Sequence, residues 1–317
     1  MTALRIGTRG SSLALWQART VASLLAARGV ATDIVTYKTS GDRLQDAPLT
    51  ETGNKGLFVK ELEDALLTGA IDLAVHSAKD MSVTLPDGLL IAAVLPREDP
   101  RDAVVLPRLR HGAGGQAGGQ APLDLGAVKA ALGDAPSFGT SSIRRTAQLR
   151  ALFPNARFGA VRGNVDTRLR KLDGGEFDAL VLAVAGLKRL GHAGRITLAL
   201  DVEQCIPAPC QGIVAIEARI DVPANVREIN DPVADVSFRA ERAVVAALGG
   251  GCQLPLGALA IPAGPTLEMS AVVVSPDGAR RVRGTAVGDA GQPEELGRQL
   301  AGALARDGAV AILDEVR

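Results

Sequence analysis

The sequence predicts an α/β protein of several domains: two βα units, then a smaller α+β unit at the C-terminal end. Three observations predict it. The chain has 317 residues, more than a single hydrophobic core ordinarily serves. Short apolar runs alternate with amphipathic stretches over residues 1–100, and again over 137–216. That alternation is the βαβ rhythm of a mostly parallel sheet. From about residue 230 the rhythm gives way to helix, strands and helix.

The elements follow in order. Leu4 to Thr8 reads as a strand. Ser11 or Ser12 caps a helix whose apolar face is Leu13, Trp16, Val21, Leu24 and Leu25, ending at Gly29. Ile34 to Tyr37 is a second strand, and Leu57 to Leu67 a helix with Gly69 just beyond it. Ile71 to Val75 and Leu89 to Leu95 are buried strands. The polar, proline-bracketed phrase Pro96 to Asp102 is a hinge between units. Residues 111–120, rich in Gly and Gln, read as a surface loop. In the second unit, strands are expected near Phe138, Phe158 to Val161 and Ala179 to Val184, with helices starting near Ser142, Val165 and Leu187. Ile213 to Ile216 is another strand. A helix over Val236 to Leu248 leads to three glycines and Cys252. Strands at Leu267 to Val274 and Arg281 to Val287 follow, then a helix from Pro293 that stops at Gly308.

Composition narrows the function. Lys plus Arg balance Asp plus Glu at 35 each, and there is one Trp and one Tyr. Net neutrality and few stacking aromatics argue against a nucleic-acid binder. No apolar run reaches the length of a membrane span. The N-terminus lacks a signal-peptide layout, so a cytoplasmic protein is expected. Three cysteines, Cys205, Cys210 and Cys252, show no metal-ligand spacing and are expected to be free thiols.

Charge is concentrated in one window. Gly139 to Lys171 holds seven Arg and one Lys against one Asp, a local balance of +7. Guanidinium forks pair with carboxylates or phosphates through two parallel hydrogen bonds. Thr140-Ser141-Ser142 lies between a predicted strand and helix, where backbone N–H groups and the helix dipole favour an anion. Arg144 and Arg145 sit in the first turn of that helix and oppose its dipole, a conflict that an anion would relieve. The alternative is a plain serine cap with two solvated arginines. Arg162-Gly163-Asn164 repeats the same geometry, and Thr8-Arg9-Gly10-Ser11-Ser12 makes a third such turn. Ligands of open α/β sheets gather beyond the carboxyl ends of strands, so a polyanionic small molecule in a groove between units is expected. Lys79-Asp80 also follows a strand and is either an acid/base candidate or a surface pair. Cys252, presented by Gly249-Gly250-Gly251, is either a nucleophilic thiol or a packed one. Thr52 to Phe58 lacks the Walker spacing of a phosphate loop.

Read together, these phrases resemble the porphobilinogen deaminase (hydroxymethylbilane synthase) family. The resemblance runs through Arg5 to Ser11, Lys55 to Leu62, His76 to Asp80, Arg97 to Asp102, Gly139 to Arg145, Arg162 to Val165, Leu182 to Leu190, Gln211-Gly212 and Gly250 to Gln253. It implies two lobes like those of periplasmic binding proteins, residues 1–98 with 208–228 and residues 103–203. A third domain, 230–317, carries the cofactor cysteine. It also implies a transferase that deaminates four porphobilinogen molecules and joins them head to tail into hydroxymethylbilane. The primer is a dipyrromethane cofactor in thioether linkage to Cys252, and no metal is implied. Each pyrrole carries an acetate and a propionate, which would account for the arginines. The resemblance implies that Arg9, Ser11, Lys79, Ser141, Arg144, Arg145, Arg162 and Arg168 pair these carboxylates. Lys55, Ser77, Thr140, Ser142 and Gln211 complete the binding set. Asp80 is the implied catalytic group: it would hold pyrrole N–H groups and stabilise the cation left when ammonia departs.

Some positions depart from the family pattern: Met81-Ser82 after Asp80, Phe138 before Gly139, Cys210 before Gln211, and the 111–120 insertion. Asp166 is expected to pair with Arg170 at i+4. A monomer without nucleic-acid or membrane partners is expected. The alternative function is a non-catalytic two-lobed receptor for a polycarboxylate.

Overall fold

The computed structural model describes residues 3–38, 59–108, 123–249 and 254–316. Lys55 and Cys252, the 52–58 phrase and the 111–120 stretch lie outside the described residues.

In chain order, the first unit builds β1 (Leu4–Arg9), α1 (Ser12–Ala26), β2 (Thr32–Tyr37), α2 (Lys60–Leu67), β3 (Leu73–Ser77) and β4 (Leu89–Val94). The second builds β5 (Asp102–Val105), α3 (Leu125–Leu132), β6 (Ser137–Gly139), α4 (Ile143–Leu152), β7 (Arg157–Gly159), α5 (Val165–Asp173), β8 (Ala179–Ala183), α6 (Val184–Arg189) and β9 (Leu198–Ala199). The chain then returns as β10 (Val214–Arg219) and α7 (Ala224–Arg227). The last unit is α8 (Pro232–Ala247), β11 (Leu256–Ala263), β12 (Thr266–Val274), β13 (Arg281–Asp289), α9 (Pro293–Arg306) and α10 (Ala309–Asp314).

Helix starts follow capping chemistry. Ser11, Asp124, Ser142, Asn164 and Asp231 each accept a backbone N–H of their own first turn. Pro232 occupies the first turn of α8, where its missing N–H costs nothing.

The first sheet has the order β2-β1-β3-β10-β4, the second β7-β6-β8-β5-β9. In each, the strands around β1 or β6 are parallel. β10 runs antiparallel to β3 and β4, and β5 runs antiparallel to β8 and β9. Four of the five strands in each sheet therefore share one direction, as the mostly parallel expectation has it, and a single strand, β10 or β5, runs against them. The reason is the crossing: β5 and β10 are the first strands after each passage between units, and each enters its sheet from the far end.

Both sheets carry apolar side chains on both faces. Ile6, Val21, Leu25 and Val75 pack on one face of the first, Leu62, Leu66 and Ala74 on the other. In the second, Val104, Phe138 and Leu149 pack on one side, Leu172, Leu180 and Leu187 on the other. The third unit stacks α8 and α9 on its antiparallel sheet, burying Val244, Met269, Leu300 and Leu304. Its opposite face, through Leu259 and Val272, rests on Ala147 of α4 and on Ile206. Phe238 of α8 packs with Ala78 and Met81 of the first unit. The third unit thus touches both of the others.

The two crossings run side by side. Glu98 N–H donates to Gly212 O at 3.1 Å, and Leu200 N–H donates to Asp102 O at 2.8 Å. Gly212 has φ 90°, and a Cβ there would lie 2.2 Å from Glu98 O, so only glycine allows this approach. Arg97 clamps the crossing to the third unit. Its Nη1 contacts Glu241 Oε1 at 2.5 Å, while Glu241 Oε2 accepts from Cys210 N. Cys210 is buried with φ 60°, and both Cys205 and Cys210 are free thiols.

Candidate active site

β1 and β3 are neighbouring parallel strands that end at one edge, with Arg9 and Ser77. A single 3-10 turn, Ala78–Asp80, follows Ser77 and leaves Lys79 half-buried and Asp80 exposed. β6 and β7 likewise end at one edge of the second sheet, before the caps of α4 and α5. The return crossing brings these edges together. Gln211 Oε1 accepts from Lys79 Nζ at 3.3 Å, and Gln211 Nε2 donates to Asp102 Oδ1 at 2.9 Å and to Pro100 O at 2.7 Å.

Asp102 is the hub. It is fully buried, with Arg144 Nη1 at 2.7 Å from Oδ2 and Arg145 Nε at 2.9 Å from Oδ1. Arg144 also donates to Ile206 O and Arg145 to Val181 O. Burial alone would raise the Asp102 carboxyl. The Arg144 and Arg145 charges, with the Arg144 and Gln211 hydrogen bonds, override it and hold the group well below the usual carboxylate range. The anion that two cations at the start of α4 call for is therefore supplied from inside the protein. Burial beside Asp102 pushes the Cys205 thiol up to about 12, so it is inert at neutral pH.

Lys79 and Arg168 register the same electrostatic field. Burial pushes Lys79 down to about 8; the Asp80 charge opposes this and Arg145 adds to it. Burial pushes Arg168 down to about 10, with Arg145 lowering it further and Asp80 raising it. Asp80 of the first unit is thus within electrostatic reach of Arg168 of the second. Arg168 Nε donates to Gly163 O at 2.8 Å, which fixes its stem at the start of α5.

The hydroxyl groups have mostly local partners. Ser11 Oγ accepts from Ala14 N, and Ser142 Oγ accepts from Arg145 N. Ser77 Oγ accepts from Gln17 Nε2 at 2.8 Å. Buried Thr140 accepts from Ser142 N, and exposed Ser141 donates to Val161 O. These groups shape the turns around the groove. Arg9 and Arg162 are half-buried at the same strand ends. Asp166 pairs with His192 at 2.8 Å while Arg170 donates to Thr167 Oγ1, so the expected i+4 pair of Asp166 with Arg170 does not form.

A cavity of about 70 Å³ opens beside Lys79, where all three units meet. Ser142, Arg144 and Arg242 supply its polar wall; Met81, Val83, Val245 and Leu254 supply its apolar wall. Leu254 is the first described residue after the 250–253 segment that holds Cys252. Cations beside an apolar wall are the donor set that a small carboxylated pyrrole needs, so the residues present fit a dipyrromethane. Sequence reasoning missed Asp102, which was read as part of a hinge. The signal for it was an acid immediately before the apolar run Ala103 to Leu106. Arg242 was missed because it lies on an amphipathic helix with no motif around it.

A family model described as "Porphobilinogen deaminase, dipyromethane cofactor binding domain" matches residues 4–226, and one described as "Porphobilinogen deaminase, C-terminal domain" matches residues 236–306. The chain belongs to the porphobilinogen deaminase family. It is similar to the porphobilinogen deaminase of Acidithiobacillus ferrooxidans, 46% identical over 320 residues, covering 99% of this chain and 98% of that protein. Its identity to the Chromobacterium violaceum protein of the same name is 45% over 326 residues, 100% of each chain. For the Thiobacillus denitrificans protein it is 45% over 319 residues, 99% of each. Membership of the porphobilinogen deaminase family makes the chain an enzyme, a transferase of tetrapyrrole biosynthesis with a dipyrromethane cofactor domain, and sets the receptor alternative aside. Among the described residues, no helix is long and apolar enough to cross a membrane.

Proposed function

We propose that this enzyme joins four porphobilinogen molecules head to tail at the groove between residues 1–98 with 208–228 and residues 103–203. Cys252, on the third unit of 230–317, is the anchor for the dipyrromethane. When bound, that group supplies the nucleophilic pyrrole carbon to which the first substrate is joined. Lys79, Arg168, Arg9 and Arg162 receive the acetate and propionate groups. Lys55 belongs to this set by resemblance. Arg144 and Arg145 act chiefly through Asp102, as a fixed positive floor under Lys79. Gln211 holds Lys79 in line with that floor.

Asp80 is the reacting carboxylate. It is exposed to the groove while its neighbour Lys79 is tied back to Gln211. In that position it accepts from the substrate pyrrole N–H and stabilises positive charge as ammonia leaves. A carboxylate placed opposite a developing cation lowers the barrier by the attraction between the two charges. Arginine stays protonated and offers no acceptor for either task.

The observation that carries this reading is the chain Lys79–Gln211–Asp102–Arg144/Arg145, which joins the strand ends of both units beneath Asp80. Intact-mass spectrometry after brief exposure to porphobilinogen tests it. The expected result is a ladder of protein masses separated by one deaminated substrate unit. A single unchanged mass, with substrate still consumed, would contradict growth on the protein. We also propose that the enzyme is cytoplasmic and monomeric.

A further inference from the structure

Three buried ionisable groups lie outside the groove. Glu63 is on α2, His76 on β3 and Glu217 on β10, and they are 9%, 6% and 0% exposed. They share one face of the first sheet. Ala74 packs with Leu62 of α2, and His76, two residues further along β3, points the same way. Glu217 is the cross-strand partner of Ala74 and therefore faces α2 as well. His76 Nε2 and Glu217 Oε2 are 3.0 Å apart, an ion-pair distance. Glu63 Oε1 and Glu217 Oε1 find no hydrogen-bond donor among the described residues.

Among the described residues, the other charged groups on the surrounding elements leave the cluster short of a cation. On α2 these are Lys60, exposed at the first turn, and the acids Glu61 and Asp64. On β1, Arg5 is held by Asp72 and Gly69 O, and Arg9 closes the strand at its far end. On β10, Arg219 donates to Leu66 O, Ile71 O and Asp72. β2, whose Val35 and Tyr37 pack on the same side, adds the Tyr37 phenol and exposed Asp33, and β4 carries no charged residue. Two carboxylates and one imidazole reach neutrality only by holding two protons among them. Burying them with fewer leaves uncompensated charge. Burial raises the Glu63 carboxyl, and the Glu217 charge raises it further against the opposing pull of His76.

We infer that Glu63, His76 and Glu217 form a proton-sharing cluster that fixes the carboxyl end of β3, and that they are positioning residues for Lys79 and Asp80. His76 immediately precedes Ser77 and the turn that presents both side chains. Ser77 is paired with Val214 and His76 with Ala215, so strain between β3 and β10 passes directly into that turn. Losing a proton from the cluster sets carboxylates on α2 and β10 against each other and loosens the strand end. This inference rests on the placement of Lys79 and Asp80 in the active site.

The test compares the full-length enzyme carrying its primer with Glu63→Gln and Glu217→Gln, over about pH 5 to about pH 8.5. A raised carboxyl contributes stability that is fully present below its unfolded value and is lost as pH rises through its folded value. The wild-type Tm is therefore expected to fall across the lower part of that range, and Glu63→Gln to flatten the fall. Glu217→Gln is expected to lower kcat about tenfold with KM within about twofold, and to keep the primer by intact mass. If Glu217→Gln does not fold, the Glu63→Gln comparison decides alone. A Tm profile for Glu63→Gln parallel to wild type, or an unchanged kcat in folded Glu217→Gln, overturns the inference. Normal turnover by Asp80→Asn would instead remove the assignment of Asp80 and leave the Tm comparison standing.

Discussion

Asp102 sets the charge balance of the groove. Its carboxylate pairs with two buried guanidinium groups and offsets one of their two charges, which would otherwise repel each other and Lys79. Asp102→Asn keeps the shape and strands those cations, and should cost about 3–5 kcal/mol of stability by urea denaturation. Because the Asp102 carboxyl is held low, its contribution is present above the unfolded value and is lost only as pH falls into the strongly acid range. Lys79 works in the opposite window. It loses its charge as pH passes about 8, so KM for the acidic substrate should rise above that point while kcat changes less. Lys79→Arg, which stays protonated, should remove that alkaline rise; an unchanged rise would assign it to another group. Asp80→Asn should fold and retain the primer with kcat down by about a hundredfold or more, read in steady-state assays. These three roles differ in legibility. Asp80 and Lys79 stood out because two opposite charges followed a buried strand. Asp102 did not, because its one local mark, an acid just before the apolar run Ala103 to Leu106, gives no hint of a partner forty-two residues away.

Strands and helices with clear periodicity formed where the pattern placed them. α1 runs from the predicted serine cap, and β12 covers Thr266–Val274 against the expected Leu267 to Val274. The elements that escaped notice have weak patterns. β11, Leu256–Ala263, contains Gly257 and Pro262, and α3 is a short run of small residues beside the Gly/Gln-rich stretch. Neither signals its state until tertiary packing supplies Leu267 and Met269 for the first and Phe138 for the second. Strand direction was equally hidden. β10 joins the first sheet 120 residues after β4, and no local pattern gives the sense in which a returning strand enters. The return depends on Gly212, where a Cβ would collide with Glu98 O and φ is positive. Gly212→Ala should destabilise the fold by more than about 2 kcal/mol and displace Gln211, with a lower denaturation midpoint and a raised KM as the joint signature.

The three units converge on one place. Two mixed sheets present their strand ends to each other, and the third unit closes the side of the groove through Arg242, Val245 and Leu254. A neutral chain with a +7 window signals an acidic ligand, and buried Asp102 takes up part of that positive charge beneath the groove. The sequence alone could not separate arginines that face the substrate from arginines that brace the floor, because both occupy the same strand-to-helix phrases. The proposed reaction depends on Cys252 anchoring the primer. Intact-mass spectrometry of the wild-type enzyme beside Cys252→Ala tests this most directly. The wild type should be heavier than the bare chain by one dipyrromethane, and Cys252→Ala should have the mass of the bare variant chain and no turnover. A primed, active Cys252→Ala would contradict it.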